Sequence, residues 1–262
     1  PLLDPRSVAL PERLCQLRME RYIAGETNPE AIQESDVMPD VGPSFDATIV
    51  NIGGGGIGLI GGTTASLYNI LINSNTNGGL LIQDVITSGI NLDHLTICGN
   101  KGNGLLINNV NDSIEPFSIT NSILYSNEPY QIESSNNKPT TLTQHVTINH
   151  CSIELGKEGI NIKQNIGFDE IINWSEKNID TNPLFISTAN GDYRLSDSSP
   201  CIGAGILTNG VSKTDITGNL RPNPAGSKPD IGAYENPLAS PIVNIPDPNL
   251  RAALEKALGK NE

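Results

Sequence analysis

Aromatic residues are scarce in this sequence, where they make up 4% of the chain and include a single Trp. A conventional globular core takes much of its buried area from aromatic side chains, so this shortage argues against such a core. Glycine and asparagine are abundant instead, and Gly alone occurs 26 times. The composition therefore favours a stack of short aliphatic coils.

Positive charge is also scarce, with 16 Lys and Arg residues against 29 Asp and Glu residues and a formal net charge of -13. Such a surface repels nucleic acid and anionic membranes, so we expect no nucleic-acid partner and no phosphate-binding role. The plain interpretation is an acidic, solvated surface. The sharper alternative is a surface that attracts cationic partners or divalent ions.

Cysteine and long apolar runs are limited as well. The four cysteines lack metal-ligand spacing and do not form a small-domain disulfide framework, so we expect buried free thiols, with one disulfide as the alternative; they are Cys15, Cys98, Cys151 and Cys201. No apolar run reaches the roughly 18 residues that a transmembrane helix needs, so we expect no membrane span. The chain begins at Pro1 without a signal peptide, which we interpret as a processed or trimmed piece that carries no information on secretion.

One ten-residue pattern recurs along the chain, at residues 66–75, 91–100, 118–127 and 147–156. A repeat 25 to 29 residues apart, with alternation inside each copy, is typical of a solenoid. Its apolar or small columns are Leu67/Leu92/Ile119/Ile148, Ile70/Leu95/Ser122/Cys151 and Ile72/Ile97/Leu124/Ile153. Its polar turn columns are Asn69/His94/Asn121/His150 and Asn75/Asn100/Asn127/Gly156.

The alternation inside each copy identifies the kind of solenoid. Ile70 and Ile72, like Leu95 and Ile97, repeat every two residues, as strands do and helices do not. We therefore predict an all-β fold, a right-handed parallel β-helix, with an N-terminal helical cap and a short C-terminal helix. Leucine-rich repeats are the competing interpretation, but they need a shorter period and a Leu-rich consensus.

The chain divides into four predicted parts. Residues 1–45 form an N-terminal helical cap over an open sheet end, or alternatively a partner-binding helix. Residues 46–236 form the β-helix and its C-terminal capping region, in which the repeat ends after Gln164. Residues 237–243 form a linker, and residues 244–262 form a helix with Asp247 as its cap and Pro248 in its first turn.

Five short motifs after the repeats carry a family resemblance. Their order and spacing resemble the C-terminal ending of the choice-of-anchor Q domain proteins, a family of secreted bacterial right-handed β-helix proteins; the motifs are NIDTNPLF (178–185), GDYRL (191–195), SPCIGAG (199–205), DITGNLRP (215–222) and DIGAYE (230–235). The resemblance covers residues 66–236 and implies a β-helix at the cell surface or outside the cell, without implying a reaction. Cys201 departs from the family, which usually has Ala there. Residues 244–259 resemble the N-terminal cap of internalin-like leucine-rich-repeat domains, or form a terminal helix that packs on the β-helix.

This C-terminal ending is predicted to be a distal cap across the end of the stack. Ion pairs among Asp215, Arg221, Asp230 and Glu235 would hold it together. The sharper hypothesis is a calcium site on Asp215 and Asp230, because hard cations bind several carboxylate and carbonyl oxygens. No dense Asp-rich loop accompanies these two residues, so the absence of any cofactor is the plainer expectation.

Many β-helix proteins are polysaccharide lyases or glycoside hydrolases, and the outward columns are where an active site would lie. Asp93 beside His94 is the best acid–base candidate, although a corner role for His94 is favoured. Glu133 and Lys163 are predicted to form a surface ion pair. The outward columns show no acidic or basic cluster; they are Tyr68/Asp93/Thr120/Asn149, Leu71/Thr96/Ile123/Ser152, Asn73/Cys98/Tyr125/Glu154 and Gln83/Asn108/Glu133/Lys163.

The functional hypothesis is therefore a non-catalytic module, secreted or at the cell surface, that acts as a scaffold or adhesive surface in a larger protein. We expect its partners to be polysaccharides or another surface protein. The alternative is a carbohydrate-active enzyme, a polysaccharide lyase or glycoside hydrolase of the β-helix class. A carboxylate cluster in a groove would favour the enzyme, and flat polar faces would favour the module.

Overall fold

The chain folds as a parallel β-helix, in agreement with the sequence. A computed structural model describes residues 47–50, 56–60, 65–83, 90–108, 117–135, 146–163, 171–208, 213–242, 245 and 247–257. Three five-stranded parallel sheets form the stack. Sheet 1 contains Ala47–Val50, Ile70–Asn73, Thr96–Cys98, Ile123–Tyr125 and Ser152–Ile153; sheet 2 contains Ile57–Ile60, Leu80–Gln83, Leu105–Asn108, Ile132–Ser135 and Ile160–Ile162; sheet 3 contains Ala65–Tyr68, Ile90–Asp93, Phe117–Thr120, Val146–Asn149 and Ile172–Trp174.

The predicted inward columns form the core of the stack. Ile72 pairs with Ile97 in sheet 1, and Leu67 pairs with Leu92 in sheet 3, each in the register that the repeat alignment predicts. All three inward columns are buried in one continuous cluster, to which sheet 2 adds its own aliphatic residues. Burying aliphatic side chains between closely stacked coils supplies the hydrophobic stabilisation that the few aromatics cannot.

The corners between strands account for the polar columns. Asn69, His94, Asn121 and His150 all have φ between 48° and 53°, so the corner role predicted for His94 is confirmed. At the next corner the left-handed residue lies one position earlier than the Asn column, at Ser74, Gly99, Ser126 and Leu155. The Asn side chains are then free to bond along the stack. Asn75 Nδ2 donates to Asn100 Oδ1 at 2.9 Å, and Asn100 Nδ2 donates to Asn127 Oδ1 at 2.8 Å.

The repeat continues further than the sequence suggested. Ile172–Trp174 pairs in parallel with Val146–Asn149, and Ile179 forms a parallel bridge with Ser152. The expectation that the repeat ends after Gln164 is therefore wrong. The alignment missed this coil for two reasons. Trp174 occupies a column that is aliphatic in the other coils. Asn178, whose side chain accepts from the Cys151 N–H, does not fall in either of the polar columns of the repeat.

The C-terminal ending lies along the side of the stack, and the expectation of a distal cap is wrong. We call residues 191–208 and 213–236 the cover. The outward side chains of sheet 1 form a second buried apolar cluster with it; the cluster contains Leu71, Cys98, Ile123, Tyr193, Leu195, Cys201, Ile202 and Ile231. The backbone of Gly232 donates to Asn121 O at 2.7 Å, and Ala233 N donates to Thr96 Oγ1 at 2.9 Å. Apolar residues on an outward face require such a partner.

A short antiparallel hairpin, Phe185–Ser187 with Asp192–Leu195, leads into the cover. Residues 237–242 of the linker predicted over 237–243 remain attached to the cover, because Leu238 packs against the second cluster and Ile242 N donates to Asp197 O at 2.6 Å. A helix, Pro248–Ala257, follows, and its first turn is capped as predicted by Asp247 Oδ1, which accepts from Asn249 N at 2.8 Å.

The C-terminal helix leaves its leucines in solvent, since Leu250 is 52% exposed and Leu254 is 40% exposed. The alternative prediction that this helix packs on the β-helix is therefore not met by the described residues. The predicted N-terminal cap, residues 1–45, lies outside the described part of the chain. Within the described part, every helix is too short or too polar to cross a lipid bilayer.

Candidate functional site

The strongest predicted acid–base pair, Asp93 and His94, lies at the corner that follows Ile90–Asp93 of sheet 3. Both residues are only 1% exposed. Asp93 Oδ1 accepts from Asn121 Nδ2 at 2.9 Å, and Asp93 Oδ2 accepts from the Thr208 hydroxyl at 2.6 Å. Thr208 follows the first part of the cover, so the cover closes directly over this carboxylate. The pair is thus shielded from solvent on the side where a substrate would have to approach.

The imidazole of His94 is held in its neutral form. Its Nδ1 lies 2.7 Å from Asp93 Oδ1, and neither ring nitrogen has any other polar partner among the described residues. Burial and, to a lesser extent, the positive charge of Arg221 lower the pKa of His94 to about 4, against the opposing effect of Asp93. At neutral pH this ring is an uncharged packing group.

A cluster of charged residues lies beside this corner, within the cover. Arg221 Nη1 lies 2.9 Å from Glu235 Oε2, and both side chains are almost completely buried. The predicted ion pairing therefore occurs between these two residues. Arg221 also donates to the carbonyl oxygens of Asp230 and Gly232. Because a buried ion pair must recover its lost hydration through further bonds, these contacts hold the segments of the cover together.

Asp215 and Asp230, the proposed calcium ligands, are both fully buried and hydrogen-bonded within the cover. Asp215 Oδ1 accepts from the backbone of Thr217 and Asn219, and its Oδ2 accepts from Glu235 N. Asp230 accepts from Gly203 N at 2.7 Å and from Asn236 N at 2.6 Å. These carboxylates act as turn-forming acceptors for backbone N–H groups.

The electrostatics of the two carboxylates differ. Burial and then the nearby charge of Glu235 raise the pKa of Asp230 to about 7, against the hydrogen bonds from Asn236 and Gly203. Hydrogen bonds hold the pKa of Asp215 below its ordinary value, although burial acts in the opposite direction. The described residues contain no group of three or more His, Cys, Asp or Glu side chains arranged around a metal position. The calcium site stays a prediction, and binding there would displace backbone donors from these oxygens.

The predicted pair of Glu133 and Lys163 is present, with Lys163 Nζ 2.8 Å from Glu133 Oε1. Its predicted column is wrong, however, because Ser135 pairs with Asn108 and Glu133 pairs with Leu106. The distance from Asn127 to Ile132 equals that from Asn100 to Leu105, so the alignment placed Glu133 two positions too far along its strand. The ion pair therefore runs diagonally across sheet 2, and the Lys163 side chain is largely exposed.

The outward column of sheet 3 that the cover leaves open is polar. On sheet 3, Asn91 Nδ2 donates to the Tyr68 hydroxyl at 3.0 Å, and Ser118 Oγ donates to Asn91 Oδ1 at 2.9 Å. This column carries hydroxyl and amide groups on each successive strand; it consists of Ser66, Asn91, Ser118, Thr147 and Asn173. The predicted outward columns of Tyr68 and of Leu71 are instead largely buried.

One surface feature escaped the sequence entirely. At the last coil, a groove of about 550 Å³ lies between the corner at Leu155–Glu158 and the final strand, with Trp174 and Asp180 in its wall. The available signal was the match of Ile172–Trp174 to Val146–Ile148, which would have extended the repeat and placed Trp174 at its end.

Comparison with known proteins adds no further assignment: protein-family models, curated protein sequences and solved structures give no match to this chain.

Proposed function

We propose that this chain is a non-catalytic module of a larger protein, located outside the cell or at its surface, which presents contact surfaces to a glycan or another protein. The observation that carries the proposal is the burial of Asp93 and His94 beneath the cover. General acid–base catalysis requires a group within hydrogen-bond reach of the substrate, and these two groups have no open side.

The accessible surface supports a contact role. The open column of sheet 3 presents hydroxyl and amide groups at the strand spacing of about 4.8 Å. Such groups donate and accept hydrogen bonds without a charge requirement, and the sheet behind them is rigid. A rigid array loses little conformational entropy on binding, which favours recognition of an extended partner.

The location outside the cell rests on the resemblance of the five C-terminal motifs to the choice-of-anchor Q proteins. Two of those motifs have a physical role in the fold. DITGNLRP contributes Asp215 and Arg221, and DIGAYE contributes Asp230 and Glu235, which together build the buried cluster of the cover. The exposed Leu250 and Leu254 of the C-terminal helix fit the resemblance of this helix to the N-terminal cap of a leucine-rich-repeat domain.

An assay for turnover and binding on the same ligands tests the proposal. The full chain is incubated with neutral and acidic polysaccharides, with and without calcium, and both reducing and unsaturated ends are measured. Glycan-array binding is recorded in parallel. We expect binding without product. Release of product that is lost in Asp93→Asn, and retained in the surface variant Asp192→Asn, would replace the module with a lyase or hydrolase.

A further inference from the structure

The groove at the last coil has the size of a ligand site. Its volume of about 550 Å³ falls within the roughly 300–1,000 Å³ that is usual for small-molecule pockets. Its walls come from two places in the chain. One is the corner at Leu155–Glu158, and the other consists of Trp174 and residues 178–180. Both are held by the backbone of the stack, through the bridge of Ser152 with Ile179 and the pairing of Ile148 with Trp174.

Trp174 provides the apolar wall. It lies in the inward column of Leu67, Leu92, Ile119 and Ile148, and part of its side chain packs on the core. As the last member of that column among the described residues, it also lines the groove, and it remains partly exposed. A large indole at the end of a column of aliphatic residues both closes the core and offers aromatic surface outward.

The missing side chain of Gly156 shapes the floor. Earlier coils have Asn at this column, and their side chains bond to one another along the stack. Gly156 has φ of +57°, and a Cβ built on it would lie 3.6 Å from Asp180 Cβ and 3.8 Å from Asp180 Oδ2. The Asp180 carboxylate therefore stands over the glycine corner, where no side chain from position 156 competes for it.

Two carboxylates are available in this groove. Asp180 and Glu158 are exposed, and neither side chain has a hydrogen-bond or ion-pair partner within the described residues. Lys157, which is also exposed, lies between Gly156 and Glu158 on the same wall. An aromatic surface beside unpaired carboxylates matches the two sides of a sugar ring, which has apolar C–H faces and hydroxyl donors at its edge.

We propose that this groove binds a neutral glycan, with a sugar ring against Trp174 and its hydroxyl groups donating to Asp180 and Glu158. The inference rests on the proposed function and gives that contact module a ligand class and a site. Acidic polysaccharides are disfavoured, because the two groove carboxylates outnumber the single lysine and the whole chain carries a formal charge of -13.

The single tryptophan makes the groove directly observable. The full chain is titrated with cellohexaose, mannohexaose and N-acetylchitohexaose as neutral probes, and with oligogalacturonate as the acidic probe. Trp emission reports occupancy, and isothermal titration calorimetry gives affinity. We expect at least one neutral probe to shift the emission and to bind more tightly than oligogalacturonate.

Variants separate ring stacking from core packing. Trp174→Leu keeps an apolar plug for the core but removes the ring, and we expect it to weaken binding by about tenfold or more. Trp174→Phe should retain part of the affinity. Asp180→Asn, a surface change that leaves the core untouched, should weaken binding several-fold. Tyr130→Leu and Glu176→Gln, which lie outside the groove, are matched controls, and circular dichroism checks that every variant is folded.

Several results would overturn the inference. Absence of binding by every neutral probe at millimolar concentration would do so, as would tighter binding of oligogalacturonate. Unchanged affinity in both Trp174→Leu and Asp180→Asn would place the glycan on another surface, which removes this site but leaves the contact module intact. Release of product from any probe would instead contradict the non-catalytic module itself.

Discussion

At the scale of single residues, the corners explain why Asn and His recur at fixed positions. Asn69, His94, Asn121 and His150 adopt left-handed backbone conformations, which most residues other than Gly avoid and which Asn and His tolerate better. The left-handed backbone conformation of this corner therefore explains the presence of His94 without any catalytic role. The same position also places its ring beneath the cover, where the cost of charging it is high.

The first prediction concerns His94→Asn, which keeps the left-handed corner and removes the titrating ring. Burial lowers the pKa of His94 from 6.5 to about 4, so the unfolded state binds a proton that the folded state does not bind between these values. The stability that neutral His94 contributes is complete above pH 6.5 and is lost as the pH falls towards 4. Relative to the variant, the free energy of unfolding of the wild type should fall by about 1.4 kcal/mol per pH unit in this range.

Urea unfolding at several pH values measures this difference. Asp230 acts in the opposite direction, since its raised pKa gives stability at low pH that is lost as the pH rises through 7, but it is present in both proteins and cancels. His150→Asn is the matched control at the same corner of the fourth repeat, with a more exposed ring and a weaker expected pH dependence. Equal slopes for wild type and His94→Asn would show that the ring is hydrated.

At the scale of structural elements, the Asn ladder ties successive coils together. Asn100 accepts from both the backbone N–H and the side-chain amide of Asn75, and it donates to Asn127 Oδ1. Replacing it with Ala removes the buried acceptor of two Asn75 donors and one of the two donors to Asn127 Oδ1, which keeps only its bond from the backbone N–H of residue 100. We expect Asn100→Ala to lower the free energy of unfolding by about 3 kcal/mol, measured in urea.

The exposed Asn77, in the same coil as Asn75, offers a matched control for the ladder. Asn77→Ala removes the same atoms without stranding buried groups, and its effect should stay within about 0.5 kcal/mol. If the two variants lost equal stability, the ladder would not be a stabilising element.

The contact of the cover with sheet 1 gives a third prediction. Gly232 has φ of +105°, and a Cβ there would lie 2.7 Å from Ile123 Cδ1 and 3.0 Å from Thr96 Oγ1. Gly226 has a similar φ of +87° but nothing within 4 Å of its Cβ position. Both Gly→Ala changes strain the backbone, and only Gly232→Ala also forces the cover away from the sheet.

We therefore expect Gly232→Ala to be more destabilising than Gly226→Ala by about 1–2 kcal/mol in thermal or urea unfolding. The comparison removes the contribution of backbone strain, because that strain is common to both variants. An equal loss would mean that the cover does not pack tightly at this point.

The sequence predicted the first four coils and the C-terminal helix, and it missed the last coil and the position of the cover. The inward columns and the first corner follow from a period of two and from Asn and Gly preferences, so the registers of sheets 1 and 3 were accessible from the repeat alignment. The position of the cover depends on long-range packing, which no local pattern encodes. Leu71 and Ile123 were nevertheless a usable signal, since two apolar residues in an outward column indicate a partner.

The candidate site was less predictable than the fold. Adjacency in sequence brought Asp93 and His94 together, but their burial depends on Thr208 and on Arg221, which lie far along the chain. The groove required recognition of Trp174 as the end of a column, and its aromatic residue broke the aliphatic pattern used to find the repeats.

At the scale of the whole molecule, the cover divides the stack into a closed side and open sides. Sheet 1 is closed, because the cover packs on its outward residues, while the polar column of sheet 3 and the groove at the last coil remain available. The buried ion pair and apolar cluster on the closed side stabilise the fold, and the open sides carry the proposed contacts. This division requires the cover to stay closed over sheet 1 in solution.

Native-state labelling of cysteines with N-ethylmaleimide tests this claim most directly. Cys98 lies between sheet 1 and the cover, Cys201 belongs to the cover, and Cys151 lies in the core of the stack; all three are free and buried. Burial raises the pKa of Cys151 and Cys201 to about 12 and that of Cys98 well above its ordinary value, which removes the reactive thiolate. Peptide mass spectrometry should find all three unmodified in the native chain and modified after unfolding. Rapid modification of Cys98 while Cys151 stays protected would contradict the account, because the stack would then be folded with sheet 1 uncovered.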